Sequence, residues 1–481
     1  MSTAPAALFA SFLFVSLFLA LAASALAAPA LAAPGSAASP GRAGDEAFAA
    51  RAPGDLSGYL KVDTINPPGN ESRGAEYLGK ILEAHGIPFE TGESAPGRGN
   101  LWARLKGGEK PGLVLLHHID VVPADLAYWD FDPLSGEIRD GYVYGRGALD
   151  TKGLGIVQLE AFLALAASGA ELNRDVWYVA TADEEAGGEF GAGWMLEAHG
   201  DLFENVGFLI NEGGGGVKMG EGVAIMVEVT QKVPLWLRLT AVGNPGHGSA
   251  PQVETSVTRL LAGADRIARS PFPARVVPPV GAMLRGMAPL QDESLAGAFA
   301  DPEAAIQDAD FMHGLQLAAP QIHSLLRNTC SITRLEGSAK INVVPSEAWA
   351  ELDCRLLPDQ DPEAFLVALK AIIQDEHIRI DRIMGFTPAV SSAETELFGA
   401  IVEVSAKNFP DARVIPSVSG GFTDSHFFRD KGIVSYGYSP FIVDSAERRG
   451  VHGNNERISV ENMERGTRVM IDLLRAMTVT R

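Results

Sequence analysis

Several apolar runs in this chain stop abruptly in histidine or acid. Leu113-Val-Leu-Leu116 leads into His117-His118-Ile119-Asp120, Asp175-Val-Trp-Tyr-Val-Ala-Thr-Ala182 into Asp183-Glu184-Glu185, and Val206-Gly-Phe-Leu-Ile210 into Asn211-Glu212. Such runs predict strands buried on both faces, as in a parallel sheet covered by helices. Asn100–Leu105 reads as another strand, and Gly44–Leu60, Ser72–His85, Leu154–Ser168, Glu394–Phe409 and Val460–Met477 have helical spacing. The C-terminal ends of parallel strands open on one crevice, so the polar endings of separate runs are expected to share a site.

From about Gln231 the texture changes. Leu235–Val242 alternates as a strand, Glu254–Arg269 is an amphipathic helix, Asn328–Leu335 and Ala348–Leu356 are strands, Pro362–Asp375 is a helix, and Ile378–Met384 is a strand. The order β-α-β-β-α-β is that of a split-βαβ unit. A long insertion, Ser270–Ser324, rich in Ala, Pro and Met, separates its helix from its second strand and has the length of a lid or substrate-facing element. The expected architecture is α/β: a mixed sheet with helices on both faces, residues 45–230 and 387–481, interrupted by a ferredoxin-like lid or dimerisation domain over 231–386.

A chain of 481 residues with 60 acidic and 39 basic side chains carries a formal charge of −21, which argues against binding a phosphate backbone. Nucleic acid is therefore excluded as a partner. Residues 1–33 are nearly all apolar or small and read as an export signal, with an uncleaved N-terminal anchor as the alternative and 34–44 as a flexible lead-in. The expected location is periplasmic or secreted. Cys330 and Cys354 are too few for a disulfide scaffold and wrongly spaced for a metal site. If their segments pair as a hairpin the thiols lie nearly opposite, giving either a disulfide or two small buried hydrophobes.

Taken singly, the polar motifs have ordinary explanations. His118 and Asp120 lie on one side of an extended backbone, yet a strand can simply finish in a polar loop. Asp150, ahead of the helix at Leu154, suits a helix cap. Asp183-Glu-Glu185 suits a solvated acidic turn. Together, His118-Ile-Asp-Val-Val-Pro123, Gly145-Arg-Gly-Ala-Leu-Asp-Thr-Lys-Gly153, Asp183-Glu-Glu-Ala-Gly187, the Glu212 loop, Gly246-His-Gly-Ser-Ala-Pro251, Asn342-Val-Val-Pro345 and the late His452 resemble, in order and spacing, the co-catalytic zinc hydrolases that include aminoacylase, glutamate carboxypeptidase, carboxypeptidase S and succinyl-diaminopimelate desuccinylase.

That resemblance implies one metal on His118, Asp150 and Glu212 and a second on Asp150, Glu185 and His452, with Asp150 bridging. It implies Glu184 as general base and Asp120 as the group that accepts from the ring N–H of His118 and fixes its tautomer. His247 would reach a neighbouring subunit's site and donate to the oxyanion, which implies a homodimer. Asn342 and Arg355 would hold the substrate's backbone or carboxylate, and the Gly420–Asp424 loop, with Gly421 and Thr423, would supply backbone donors. Nitrogen and carboxylate ligands without thiolate suit two Zn²⁺, with Co²⁺ or Mn²⁺ able to substitute. The expected activity is hydrolysis of an amide bond beside a free carboxylate, in a small peptide or an N-acyl amino acid. A dipeptidase or aminopeptidase is the alternative enzyme, and a metal-free binding protein the alternative of another class. His117 is expected to be structural, His426 to lie near the site, and Trp129 and Phe131 to be core or pocket mouth.

Overall fold

The computed structural model describes residues 40–220 and 222–480. The expected export signal or anchor lies outside them, and the helix Pro40–Leu60 takes in the last five residues of the expected lead-in. None of the described helices is long and apolar enough to cross a membrane.

Four parallel strands form the centre of a ten-stranded mixed sheet: Arg174–Thr181, Lys110–His118, Val206–Asn211 and Val434–Gly437, in that spatial order. Gly99–Leu105 and Phe89–Glu93 extend one side antiparallel. Gly222–Gln231, Gly215–Met219, Ile442–Val443 and Ala412–Ser419 build the other. Both faces are dry, as the aliphatic runs require. Leu113 and Leu115 pack with Tyr178 against the helices Pro40–Leu60, Lys152–Ala167 and Val460–Thr478, while Val114 and Leu116 pack with Trp177, Met195 and Phe428 on the opposite face. His117 falls on the first face, fully buried between Tyr59 and Tyr178, and is structural as expected.

A second sheet holds four antiparallel strands ordered Thr329–Glu336, Glu347–Leu356, Val233–Val242 and Ile378–Gly385, covered by the helices Ser256–Arg269 and Pro362–Ile373. This is the split-βαβ connectivity read from the sequence. The long insertion folds into short helices and docks on the outer part of the large sheet. Val280, Met283, Leu284 and Met287 of the helix Pro278–Met287 pack against Ala224, Ile415 and Val418. The approach is close enough that a Cβ at Gly286 would stand 2.7 Å from the Ile415 side chain. Where the chain passes from the large sheet to the small one, fully buried Lys232 donates to the carbonyls of Ser324 and Arg327 and to Thr329 Oγ1, tying the end of the insertion to that crossing.

Cys330 and Cys354 face each other across adjacent strands and are bonded. The bond spans a sequence separation of 24 residues. A loop of that size removes about 3 kcal/mol of chain entropy from the unfolded state. Replacing both cysteines with alanine should therefore lower the unfolding free energy by about that amount, read from urea denaturation; an unchanged midpoint would show that the cross-link adds nothing.

Candidate metal centre

Each strand end delivers one part of the cluster. His118 is the last residue of its strand, Glu184 and Glu185 follow the neighbouring strand Arg174–Thr181, and Glu212 follows Val206–Asn211. Asp150 stands two residues before the helix Lys152–Ala167, and His452 lies in the loop before the last helix. The expected cap is not made: Asp150 turns its side chain away from the helix, and the residue at the cap position, Thr151, makes no side-chain cap either.

The two oxygens of Asp150 address two different histidines. Oδ1 lies 3.1 Å from His118 Nε2 and Oδ2 lies 3.1 Å from His452 Nε2. Glu212 Oε1 is 3.6 Å from His118 Nε2, and Glu185 Oε2 is 3.0 Å from His452 Nε2. The five residues expected as metal ligands thus fall into two groups joined by one carboxylate. Glu184 Oε2 lies 3.9 Å from His118 Nε2, and its carboxylate accepts no hydrogen bond among the described residues.

Asp120 does something other than expected. His118 Nδ1 lies 2.9 Å from the backbone carbonyl of Asp120, while the carboxylate is 3.6 Å away. The carbonyl therefore sets the tautomer. The carboxylate instead accepts from the backbone N–H of Glu184 at 3.1 Å, from that of Glu185 at 3.2 Å, and from Asn66 Nδ2 at 2.8 Å, which fixes the acidic turn to the end of the His118 strand. Asp183, the first acid of that turn, points away from the cluster. It pairs with Arg98, which also holds buried Glu71 at 3.0 Å, and it adopts a left-handed backbone with φ 70°. Such a conformation costs a non-glycine residue about 1 kcal/mol or more and persists only when its surroundings over-determine it.

The cluster has more negative charge than it can keep in so dry a place. Burial, and then repulsion from Glu212, raise Glu184 well above the carboxylate range. Burial also raises Glu185, to about 7, against the hydrogen bond from His452 and with Asp150 adding to the rise. Hydrogen bonds that His452 donates to Asp150 and Glu185 push it up to about 10. Against the desolvation of burial, His118 and His452 hold Asp150 below its ordinary range. One oxygen of Glu185, Oε1, is buried without a partner. Surplus acid, two histidines and an orphaned carboxylate oxygen brought together in one buried cluster are donors suited to cations, so the donor set fits a metal pair.

The expected substrate-binding residues lie elsewhere. His247 and Asn342 sit on two adjoining exposed turns of the small-sheet unit, joined by pairing of Gly246–His247 with Val343–Val344, and neither bonds to the cluster. His247 Nδ1 accepts from the backbone N–H of Ser249 at 3.2 Å, and Nε2 makes no hydrogen bond among the described residues. Arg355 gives Nε and Nη2 to Asp353, lies 5.5 Å over the Phe422 ring, and has Nη1 without a partner. The Gly420–Asp424 loop departs from expectation. The N–H of Thr423 is taken by Gln231 Oε1 and that of Gly421 by Ser419 Oγ, so both backbone donors are already satisfied. His426 stacks on Phe386 at 3.5 Å, and burial takes it down to about 3. Trp129 packs edge-on to Phe131 with Arg146 over its ring, and is core.

Glu456 is the residue that pattern reading missed. Its fully buried carboxylate accepts from Arg146 Nη1 at 2.7 Å and from the N–H groups of Gly147, Leu149 and Asp150 at 2.9, 2.7 and 3.1 Å. Arg146 also donates to the carbonyls of Gly450 and Gly453, on either side of His452. One ion pair therefore staples the Asp150 loop to the His452 loop. The signal in the sequence was a carboxylate four residues after the late histidine in a Gly/Asn loop. Glu456→Gln keeps the shape but strips the charge, and should weaken metal binding by about 10–100-fold, as loss of a group that orients ligands does. Competition with a chromophoric chelator, on protein shown to be folded by circular dichroism, measures it; wild-type affinity in the folded variant would remove Glu456 from this role.

Comparison with known proteins agrees with the geometry. The chain is 29% identical over 388 residues to the mouse N-fatty-acyl-amino acid synthase/hydrolase PM20D1, covering 76% of this chain and 75% of that protein. It is 32% identical to the Xenopus tropicalis protein of the same name, with 75% and 71% covered, and 26% identical to pig aminoacylase-1, with 92% and 97% covered. Its fold matches an M20 family metallo-carboxypeptidase from Sulfolobus solfataricus with a TM-score of 0.70, 23% identity, and coverage of 88% of this chain and 98% of that one. The pattern describing Peptidase family M20/M25/M40 matches residues 114–476, from the His118 strand to the last helix, and the chain belongs to that family of metal-dependent hydrolases.

Proposed function

We propose that the chain cleaves N-acyl amino acids, or the last peptide bond of small peptides, and requires a free carboxylate beside the amide. The observation that carries this reading is the division of Asp150 between His118 and His452, with Glu184, whose carboxylate accepts no hydrogen bond among the described residues, at its side. His118, Asp150 and Glu212 would hold one zinc, and Asp150, Glu185 and His452 the other. Two bound cations supply a water of lowered pKa and a Lewis acid for the scissile carbonyl. Glu184 takes the proton of the attacking water and passes it to the leaving amine nitrogen, a role for which its free carboxylate is suited. Asp120 keeps Glu184 and Glu185 in place through their backbone N–H groups.

Arg355 Nη1 is the arm left to receive the substrate carboxylate, Asp353 having fixed the other two nitrogens. His247, exposed, would donate to the oxyanion of a second copy, which makes the working form a homodimer, with Asn342 beside it as a second polar contact. Relatives named for N-fatty-acyl amino acids, and the Met-rich docked insertion, favour bulky acyl groups. The apolar N-terminal block and the bonded cysteines favour an exported protein.

Glu184→Ala should lower turnover at least about a hundredfold while retaining metal, whereas His452→Ala should lose about one equivalent of metal; turnover and elemental analysis on the same preparations test this, and a fully active Glu184→Ala protein would end the mechanism. The substrate assignment is decided by a hydrolysis panel of N-acyl amino acids, unblocked dipeptides and their C-amidated forms. Activity is expected on N-blocked compounds with a free carboxylate and should vanish on amidation; the opposite pattern would make the protein an aminopeptidase or dipeptidase.

A further inference from the structure

Glu212 leaves the end of the strand Val206–Asn211 in a glycine-rich loop, and a buried ion pair that involves none of the expected ligands stands against that loop. Glu228, on the strand Gly222–Gln231, accepts from Arg429 Nη1 and Nη2 at 3.1 Å each, and both residues are buried. Arg429 also donates through Nε and Nη2 to the carbonyl of Ser435, at 3.2 and 2.9 Å. The pair is thereby fixed to the strand Val434–Gly437, which lies beside the strand of Glu212 with Gly437 opposite Asn211. Contact with the loop is close. A Cβ at Gly213 would come 3.0 Å from Glu228 Oε2, and one at Gly437 would come 2.8 Å from the same oxygen and 2.3 Å from the Glu212 carbonyl. Gly213 has φ 109°, so the chain leaves Glu212 by a turn that other residues rarely adopt.

Arg429 belongs to the short helix Ser425–Asp430, and the first residue of that helix reaches the same strand end: Asn211 Nδ2 donates to Ser425 Oγ at 3.2 Å. The residue before Glu212 is bonded to this helix, and the residue after it abuts the carboxylate that the helix holds. A buried ion pair is weak support for stability, since apolar side chains of similar volume often serve a core as well or better. Its placement here gives it another use. Glycines bring no side chains that could pack to fix the Glu212 loop, and a bidentate pair of set geometry fixes it in their place. On the ligand assignment proposed above, we infer that Glu228 and Arg429 are a positioning pair for Glu212, acting on the metal held by His118, Asp150 and Glu212 and not on the one held by Asp150, Glu185 and His452. Neither residue is itself a ligand in that assignment.

Metal affinity resolved by site tests this in the full chain, with zinc as the probe and a chromophoric chelator as competitor. In a His452→Ala background the metal that remains is the one on His118, Asp150 and Glu212, and adding Glu228→Gln should weaken its binding about tenfold or more, as loss of a group that orients a ligand does. In a Glu212→Ala background, where the other metal remains, the same substitution should leave the affinity unchanged. Should Glu228→Gln fail to fold, Glu228→Leu combined with Arg429→Met replaces the pair by apolar side chains and carries the same expectations. A merely loosened fold would weaken binding in both backgrounds alike. That result, or an unchanged affinity in the His452→Ala background, overturns the proposal. Failure of the ligand assignment is seen separately, in His452→Ala or Glu212→Ala losing no metal before Glu228 is changed.

Discussion

The constraint on which this structure depends is the packing of four carboxylates, Asp150, Glu184, Glu185 and Glu212, around two histidines at a dry sheet edge. Like charges this close in a poorly solvated place repel strongly. The fold answers with fixed donors. Asp120 is held by three N–H groups, Glu456 by four, and Asp183 by a buried arginine. Each of these supports is itself a buried acid, so the site is acid all the way out to Arg98 and Arg146, where the counter-charges finally stand.

Much of this was legible in the sequence because the two periodicities that matter are strong. Aliphatic runs such as Leu113–Leu116 can hardly be anything but buried strands, and the endings of such runs fall together once the strands are parallel. Residue identities at those endings then named the cluster. Less legible was what each polar group does with its hydrogen bonds. Asp120 stands two residues beyond His118, and its distance in sequence from Glu184, 64 residues, gives no hint that its carboxylate serves that turn. Thr423 and Gly421 look like free donors in a glycine-rich loop until Gln231 and Ser419 are seen to occupy them. Glu456 lay in plain view beside His452, but a lone buried carboxylate has no periodicity to betray it.

The insertion was the least predictable element, since Ala, Pro and Met at that density fit a lid or a packed helical block equally well. Its apolar face decides the matter by covering Ala224, Ile415 and Val418, so that it behaves as an extension of the large sheet's core. Lys232 adds a second tie, placing a buried ammonium on the carbonyls that close the insertion. The crossing between the two sheets is thereby braced from the side of the insertion, and Gln231, next to it, braces the Thr423 loop from within the strand.

The staple between Arg146 and Glu456 joins residues 310 positions apart. Asp150 and His452 therefore cannot be brought together by any N-terminal portion of the chain, however well that portion folds. During synthesis the centre must stay incomplete until the His452 loop has emerged, and a product clipped before that loop lacks one histidine of the cluster and the Glu456 staple. Built this way, a hydrolase carries its own delay: hydrolytic capacity arrives only after the strands that carry the other residues of the cluster.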